Sequence, residues 1–279
     1  MDFLHRRIEK ILFSAILLHI QPQKGFSAMT DNKELFTCKS ADYARFRPTY
    51  PDAAVSYLAE KCGRDCSVLD VGAGTGIFTQ ILLKFFSSVA ALEPNGNMRN
   101  EFHRLLPEIR CFDASGEDTR LPDSSVDLIT VAQAFHWLDE DLFKKEAMRI
   151  LRPGGRVAIV WNTVQKSDFT IARDDICRQY CPRFSKGYAG KRSPAEGDKF
   201  LRYSYFTEVE KVEFDNPFSM DKTAFMGNMR SRSYAPVPGD DNFELFSAGL
   251  ENVFKQYASN GEVVENMKTE IFLGSFQTL

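Results

Sequence analysis

The sequence predicts an α/β fold built on a doubly wound, mostly parallel β-sheet. Short apolar segments alternate along the chain with segments of helical periodicity, and a glycine-rich turn joins the first predicted strand to the helix after it. Strands that are apolar throughout are typical of a parallel sheet covered by helices on both faces. The predicted strands are 67–71, 88–93, 109–113, 126–132 and 156–162, and the predicted helices between them lie near 77–86, 97–105 and 139–150.

Further elements are predicted before and after this alternation. A helix over 53–61 precedes the first strand. After residue 164 the pattern loosens, and it becomes regular again at a strand over 209–214. Apolar residues at helical spacing then predict a helix over 243–257, and the last predicted strand covers 267–276.

The glycine-rich turn predicts a pocket for a nucleotide-like ligand. Gly72, Gly74 and Gly76 permit positive φ angles and leave the backbone bare, and the following helix N-terminus offers unpaired N–H groups. The third glycine comes one residue earlier than in the dinucleotide-binding pattern, and no Gly-Lys-Ser/Thr sequence follows, which excludes a P-loop.

Two carboxylates indicate what kind of ligand this turn accepts. Asp70 stands at the end of the first strand, where an anion repels phosphate but suits an amine or a sulfonium. Glu93 ends the second strand, about 20 positions after the turn, where an acidic residue accepts hydrogen bonds from ribose hydroxyls. A nucleoside with a cationic tail, such as S-adenosylmethionine, fits this polarity. A carboxylate that only caps the turn or the next helix is the alternative for Asp70.

Several motifs in series resemble those of class I S-adenosylmethionine-dependent methyltransferases. They are D-V-G-A-G-T-G at 70–76, A-L-E-P-N at 91–95, L-P-D-S-S-V-D-L-I-T at 121–130 and R-I-L-R-P-G-G-R-V-A-I-V at 149–160. The resemblance implies a Rossmann-like, seven-stranded sheet with a final antiparallel strand and a lid or cap region. The segments 43–51 and 134–139 are similar to a small-molecule branch related to trans-aconitate methyltransferase.

The resemblance also implies a set of cofactor contacts. An acidic or small polar residue after the third strand meets the adenine edge, but this chain reads D-A-S-G-E-D at 113–118, so the contacting residue stays open. Met98 packs on the adenine or belongs to the core, and an arginine or tyrosine before the first strand pairs with the methionine carboxylate. The predicted cofactor-binding residues are Tyr43, Arg47, Asp70, Gly72, Ala73, Gly74, Glu93, Pro94, Met98, Ser115, Gly116, Glu117 and Gln133.

Four residues are predicted to contact the methyl acceptor. His136 is the candidate catalytic residue, as general base or substrate orienter, because its ordinary pKa suits proton removal near neutral pH. A structural histidine is the equal alternative. Trp137 is expected to form a pocket wall, and Arg230 and Arg232 lie in a segment expected to cover the acceptor side.

The composition of the chain limits which partners and ligands are expected. A net charge of −3 and a pI near 5.9 give no basic footprint for nucleic acid. The six cysteines lack the spacing of a zinc site, so no metal is predicted. No stable membrane insertion is expected, because the apolar stretch 11–20 is too short to span a bilayer. The predicted location is cytoplasmic, with organelle targeting left open by the N-terminal extension.

The predicted organisation is an N-terminal extension followed by one domain. Residues 1–28 are expected to be disordered or to serve in targeting, and 29–279 to form a single methyltransferase domain. Within it we expect an N-terminal lid over 29–62 and a cap insertion over about 164–206.

The expected function is methyl transfer from S-adenosylmethionine to a small-molecule acceptor, with a carboxylate or hydroxyl favoured. The alternatives are a regulatory or inactive relative that binds S-adenosylmethionine, a methyltransferase with a macromolecular acceptor, and a nicotinamide-dependent oxidoreductase. The residues do not identify the acceptor or the oligomeric state.

Overall fold

The computed structural model describes residues 45–182, 184 and 194–276, and its first half alternates strands with helices. The elements in this half are α1 (Asp52–Cys62), β1 (Ser67–Val71), α2 (Ile77–Phe85), β2 (Ser88–Leu92), α3 (Gly96–Leu105), β3 (Cys111–Phe112), β4 (Val126–Ala132), a 3₁₀ turn (Phe135–Trp137), α4 (Glu140–Ile150) and β5 (Leu151–Val164).

The second half mixes helices with antiparallel strands. Its elements are α5 (Asp168–Tyr180), α6 (Pro194–Phe200), a π-helical turn (Leu201–Tyr205), β6 (Glu208–Asp215), β7 (Phe218–Asp221), α7 (Lys222–Arg230), α8 (Phe243–Tyr257), β8 (Glu262–Glu265) and β9 (Met267–Ser275).

Seven strands form one sheet in the order β3-β2-β1-β4-β5-β9-β6. The first five strands pair in parallel, and β9 lies antiparallel to both β5 and β6. This confirms the predicted doubly wound sheet with a final antiparallel strand. The strand order reverses between β1 and β4, and in open α/β sheets ligands bind at such a point, outside the carboxyl ends of the strands.

Two strands differ from their predicted lengths by three or more residues. β3 has only two residues, Cys111–Phe112, where 109–113 was expected. β5 begins at Leu151 rather than at 156, because residues 151–155 continue the strand through a register shift against β4. Gly154 permits this irregularity with a φ of 81°.

The sheet is covered on both faces by hydrophobic clusters. One face packs against α1 and α2, for example through Leu58 and Leu82, and the other packs against α4 and the π-helical turn through Phe143 and Tyr205. All five residues of β1 are buried. A fully buried Leu or Phe side chain stabilises the fold by about 1.5–3 kcal/mol, so the carboxyl ends of β1, β2 and β4 are held on a rigid base.

A separate cluster forms the core of what we call the cap, residues 168–181 and 218–265. It contains Phe169 and Cys177 from α5, Phe225 from α7 and Phe246 from α8. α5 packs on α8, and β7 pairs with β8. Inside the cap, the buried Arg173 forms an ion pair with the buried Glu265.

One hydrogen-bonded cluster joins three of the segments that connect the sheet to the cap. Asn162 lies near the end of β5, Asn216 follows β6, and Thr269 lies near the start of β9. The Asn162 Oδ1 accepts from Thr269 Oγ1 at 2.6 Å and from Asn216 Nδ2 at 3.2 Å. Both asparagine amides also donate to the Thr49 carbonyl oxygen, at 3.1 Å and 2.8 Å. The segment before α1 is thereby fixed to the same point.

Asn216→Ala is expected to lower the free energy of unfolding by about 1–3 kcal/mol, because it removes the amide that bonds Thr49, Asn162 and Thr269. Urea denaturation measures the change. The matched control is Asn252→Ala, since Asn252 is exposed on α8. Equal stability of the two variants would contradict this role.

Candidate functional site

The three glycines of the turn after β1 take the positive φ angles that the sequence predicts, 68° at Gly72, 58° at Gly74 and 89° at Gly76. A Cβ added to Gly72 would lie 2.7 Å from the Ala134 Cβ, and one added to Gly76 would lie 2.9 Å from Phe102. A Cβ on Gly74 would meet nothing within 4 Å. Gly72 and Gly76 are therefore needed for packing, whereas Gly74 presents bare backbone to open space.

The helix after the turn offers its N-terminus to this space. α2 begins at Ile77 directly after Gly76, and no side chain in the described part of the chain caps it. Its first N–H groups and the positive end of its dipole favour a negatively charged group of a ligand.

Glu93 lies between the glycine turn and the next helix. One carboxylate oxygen accepts from the Gly74 N–H at 2.8 Å, and the other accepts from the Asn95 N–H at 2.7 Å. Asn95 in turn caps α3, because its side chain accepts from the Asn97 and Met98 N–H groups. A carboxylate has about four acceptor positions, and these two bonds fix the orientation of the Glu93 carboxylate.

Asp70 is fully buried below the turn. Its carboxylate accepts from Thr79 Oγ1 on α2 at 2.6 Å and from Thr130 Oγ1 on β4 at 2.9 Å. Burial raises the pKa of Asp70 to about 6, the nearby charge of Glu93 adds to the rise, and the two hydroxyls oppose it. These contacts give Asp70 a role in fixing α2 against the sheet. A contact with the ligand remains a prediction.

The segment 115–117 packs against the end of β1. A Cβ on Gly116 would lie 2.8 Å from Val71 Cγ1, so this position has no room for a side chain. Glu117 accepts from the Asp139 N–H at 2.8 Å and so ties the segment to the start of α4. Met98 is buried at 4% exposure on α3. Which of Ser115, Gly116 and Glu117 meets the adenine stays open.

Gln133 turns the chain at the end of β4. Its φ is 54°, a value that is uncommon outside glycine and that marks local strain. Its N–H donates to the Val160 carbonyl oxygen at 2.9 Å, and its side-chain amide donates to the Asn162 carbonyl oxygen at 2.9 Å. The turn directs the following 3₁₀ segment, which carries His136, towards β5.

His136 lies between the two tryptophans of the chain. Its ring centroid is 4.7 Å from that of Trp137 and 5.4 Å from that of Trp161. Burial lowers the pKa of His136 to about 4, so the imidazole is neutral at pH 7. A neutral imidazole orients a substrate by accepting or donating a hydrogen bond, but a pKa this low makes it a weak general base.

The structure places the predicted arginines at the cap. Arg47 Nε donates to Ser231 Oγ at 3.1 Å, and Arg232 donates to Asn228 Oδ1 at 3.1 Å. Arg230 turns towards α8, where it contacts Ser247 at 3.3 Å and its guanidinium lies 5.3 Å from the centre of the Phe243 ring. Tyr43 and the extension 1–28 lie outside the described residues.

The comparisons with known proteins agree with this geometry. A family model described as a methyltransferase domain matches residues 69–159. An uncharacterized methyltransferase-like protein of Schizosaccharomyces pombe is 30% identical over 190 residues, 64% of this chain and 73% of that protein. The chain belongs to the class I S-adenosylmethionine-dependent methyltransferase family. This membership confirms S-adenosylmethionine as the predicted cofactor.

Two further relatives show how far the likeness extends. An uncharacterized methyltransferase of Mycobacterium tuberculosis is 41% identical over 121 residues, 43% of this chain and 49% of that protein. The chain thus spans about half the length of this relative. A solved structure of a proposed type II methyltransferase from Anaeromyxobacter dehalogenans is 27% identical with a TM-score of 0.59, covering 82% of this chain and 98% of that one. The likeness to trans-aconitate methyltransferase stays a prediction.

Two features are absent from the residues that the structure describes. Within them, no group of three or more His, Cys, Asp or Glu side chains is arranged to hold a metal ion. No helix in the same part of the chain has the length and apolar character needed to cross a membrane.

Sequence reasoning missed Trp161 and Asn162. Both lie in a predicted strand, but the sequence alone does not show that β5 continues past the end of β4 and brings them to the edge of the sheet. The position of both tryptophans near the carboxyl ends of neighbouring predicted strands is the one sequence signal that could have identified Trp161.

The titration of Asp70 is expected to make stability depend on pH. The pKa of Asp70 is raised from 3.8 to about 6. The contribution of Asp70 to the free energy of unfolding is therefore fully present below pH 3.8, and it is lost as the pH rises through 6. Relative to Asp70→Asn, which does not titrate, the wild type is expected to lose up to about 3 kcal/mol of unfolding free energy between pH 4 and 7.

Urea denaturation of both proteins at several pH values measures this difference. Asp241→Asn is the matched control, because Asp241 is exposed. A difference between wild type and Asp70→Asn that does not change with pH would contradict the assignment.

Proposed function

We propose that this protein transfers the methyl group of S-adenosylmethionine to a small-molecule acceptor through a carboxylate or hydroxyl oxygen. The observation that carries the proposal is the position of Glu93. Its carboxylate is held by the Gly74 and Asn95 N–H groups at the edge of an open glycine turn. Membership of the methyltransferase family supports S-adenosylmethionine as the methyl donor.

Different residues are proposed to bind different parts of S-adenosylmethionine. Glu93 accepts hydrogen bonds from the ribose hydroxyls, and the bare backbone at Gly74 lets the nucleoside approach closely. The N-terminus of α2 suits the carboxylate of the amino-acid portion. S-adenosylmethionine, when bound, supplies a methyl group activated by a sulfonium. The protein is left to orient the acceptor and to exclude water.

A carboxylate acceptor is favoured over a hydroxyl by the state of His136. An acceptor oxygen forms a bond to the methyl carbon while the carbon–sulfur bond breaks, and the electron pair stays on sulfur. A carboxylate does this without losing a proton, whereas a hydroxyl must give its proton to a base. Because burial lowers the pKa of His136 to about 4, this side chain suits orientation better than proton removal. Arg230 and Arg232 remain proposed partners for an acidic acceptor.

Two other functions are distinguished by experiment. A regulatory or inactive relative would bind S-adenosylmethionine without transferring its methyl group to any acceptor. A methyltransferase with a macromolecular acceptor would label proteins or nucleic acids in preference to small molecules. The net charge of −3 does not favour nucleic acid.

Glu93→Ala is expected to weaken S-adenosylmethionine binding by about 10–100-fold, because hydrogen bonds to a charged group contribute about 1.5–3 kcal/mol. Calorimetry of the full chain measures the affinity, and Glu108→Ala, on an exposed residue, is the control. Since Glu93 also holds Gly74, circular dichroism checks that the variant is folded.

A ligand change tests the same contact without mutation. The wild type is expected to bind S-adenosylhomocysteine at least about tenfold more tightly than its 2′,3′-dideoxy analogue. Equal affinities for S-adenosylhomocysteine and its dideoxy analogue would contradict a contact between Glu93 and the ribose. An unchanged affinity for S-adenosylmethionine in folded Glu93→Ala would contradict it as well.

The acceptor class is tested with labelled S-adenosylmethionine and sets of carboxylic acids, phenols and amines. We expect labelled methyl esters from carboxylic acids, with His136→Ala reducing kcat/KM without shifting its pH dependence between pH 6 and 8. Labelling of amines alone would contradict the proposed acceptor class. A pH profile that changes in His136→Ala would show that this residue acts as a base.

A further inference from the structure

Three aromatic rings form a continuous surface beside the carboxyl end of β4. The His136 ring is tilted by 43° to Trp137 and by 31° to Trp161, with centroids 4.7 Å and 5.4 Å apart. We call His136, Trp137 and Trp161 the aromatic wall. It contains both tryptophans of the chain.

The wall is held in place by Gln133. The backbone N–H and the side-chain amide of Gln133 donate to the carbonyl oxygens of Val160 and Asn162, the two neighbours of Trp161. The left-handed φ of Gln133 turns the chain so that His136 meets Trp161. Strained residues cluster at ligand-binding sites, and here Gln133 fixes the partly buried rings of the wall.

The wall differs from the aromatic core directly beneath it. Phe135, Phe143 and Tyr205 are 5%, 1% and 3% exposed. His136, Trp137 and Trp161 are each only partly buried. The fold therefore leaves flat apolar surface exposed at the edge of the sheet where ligands bind, although it buries the neighbouring rings.

The arrangement suits a flat group better than a cation. An aromatic cage for an ammonium group needs rings around an empty space, but here the His136 ring contacts both tryptophan rings directly. The partly exposed surface of the aromatic wall offers ring faces and edges, which pair with another ring in offset or edge-to-face geometry.

We propose that the aromatic wall contacts a planar, conjugated group of the acceptor, next to the oxygen that receives the methyl group. This proposal rests on the proposed function and specifies its substrate class. In this proposal Trp161 determines substrate specificity, because it contacts the planar group of the acceptor rather than the oxygen that is methylated.

The test compares two pairs of probes on the full-length protein saturated with S-adenosylhomocysteine. The pairs are benzoate with cyclohexanecarboxylate, and phenol with cyclohexanol, and each pair differs only in the unsaturation of its ring. The planar member of at least one pair is expected to bind about tenfold more tightly. Calorimetry gives the affinities, and tryptophan fluorescence reports contact with the wall because the chain has no other tryptophan.

Trp161→Leu keeps apolar bulk but removes the ring. It is expected to reduce the planar preference to below about threefold, while Trp161→Phe retains part of it. The affinity for S-adenosylhomocysteine is expected to stay unchanged in both. Tyr203→Leu, which removes an aromatic ring that is 76% exposed, is the matched control.

Several results would overturn the proposal. They are equal affinities within both pairs, binding of none of the four probes, a planar preference retained by Trp161→Leu, and a loss of S-adenosylhomocysteine affinity in Trp161→Leu. Failure of the wild type to bind S-adenosylhomocysteine would instead contradict the proposed function.

Discussion

The buried carboxylate of Asp70 is the interaction on which the geometry of the pocket depends. It joins β1 to α2 through Thr79 and to β4 through Thr130, all within the interior. Burying a carboxylate is costly unless hydrogen bonds compensate it, so the two hydroxyls must stay in place. These bonds hold both ends of the glycine turn between β1 and α2 in place.

The rest of the site follows from this fixed turn. Gly74 points its N–H at Glu93, and Glu93 connects the turn to α3 through Asn95. On the other side, Gly72 packs against Ala134, which begins the segment carrying His136. The residues proposed for the cofactor side and for the acceptor side are thus both positioned from the carboxyl ends of β1, β2 and β4, with the cap attached through Asn162.

The sequence predicts the sheet and the positive φ angles of the glycine turn, because both depend on local patterns. Apolar runs mark buried strands, and Gly72, Gly74 and Glu93 are recognised from their spacing along the chain. The acceptor side is different, since Trp161 reaches His136 only through the pairing of β4 with β5. Likewise, the contact of Arg47 with Ser231 joins residues 184 positions apart, and no local pattern carries such information.

The central claim is that the glycine turn and the start of α2 receive S-adenosylmethionine. The most direct measurement is a titration of the labelled wild-type protein with S-adenosylhomocysteine, followed through the backbone amide NMR signals of Gly72, Gly74, Gly76 and Ile77. The account predicts that these signals shift and saturate at one equivalent, while NAD at the same concentration leaves them unchanged. Amide signals that do not respond to S-adenosylhomocysteine, or that respond to NAD instead, would contradict it.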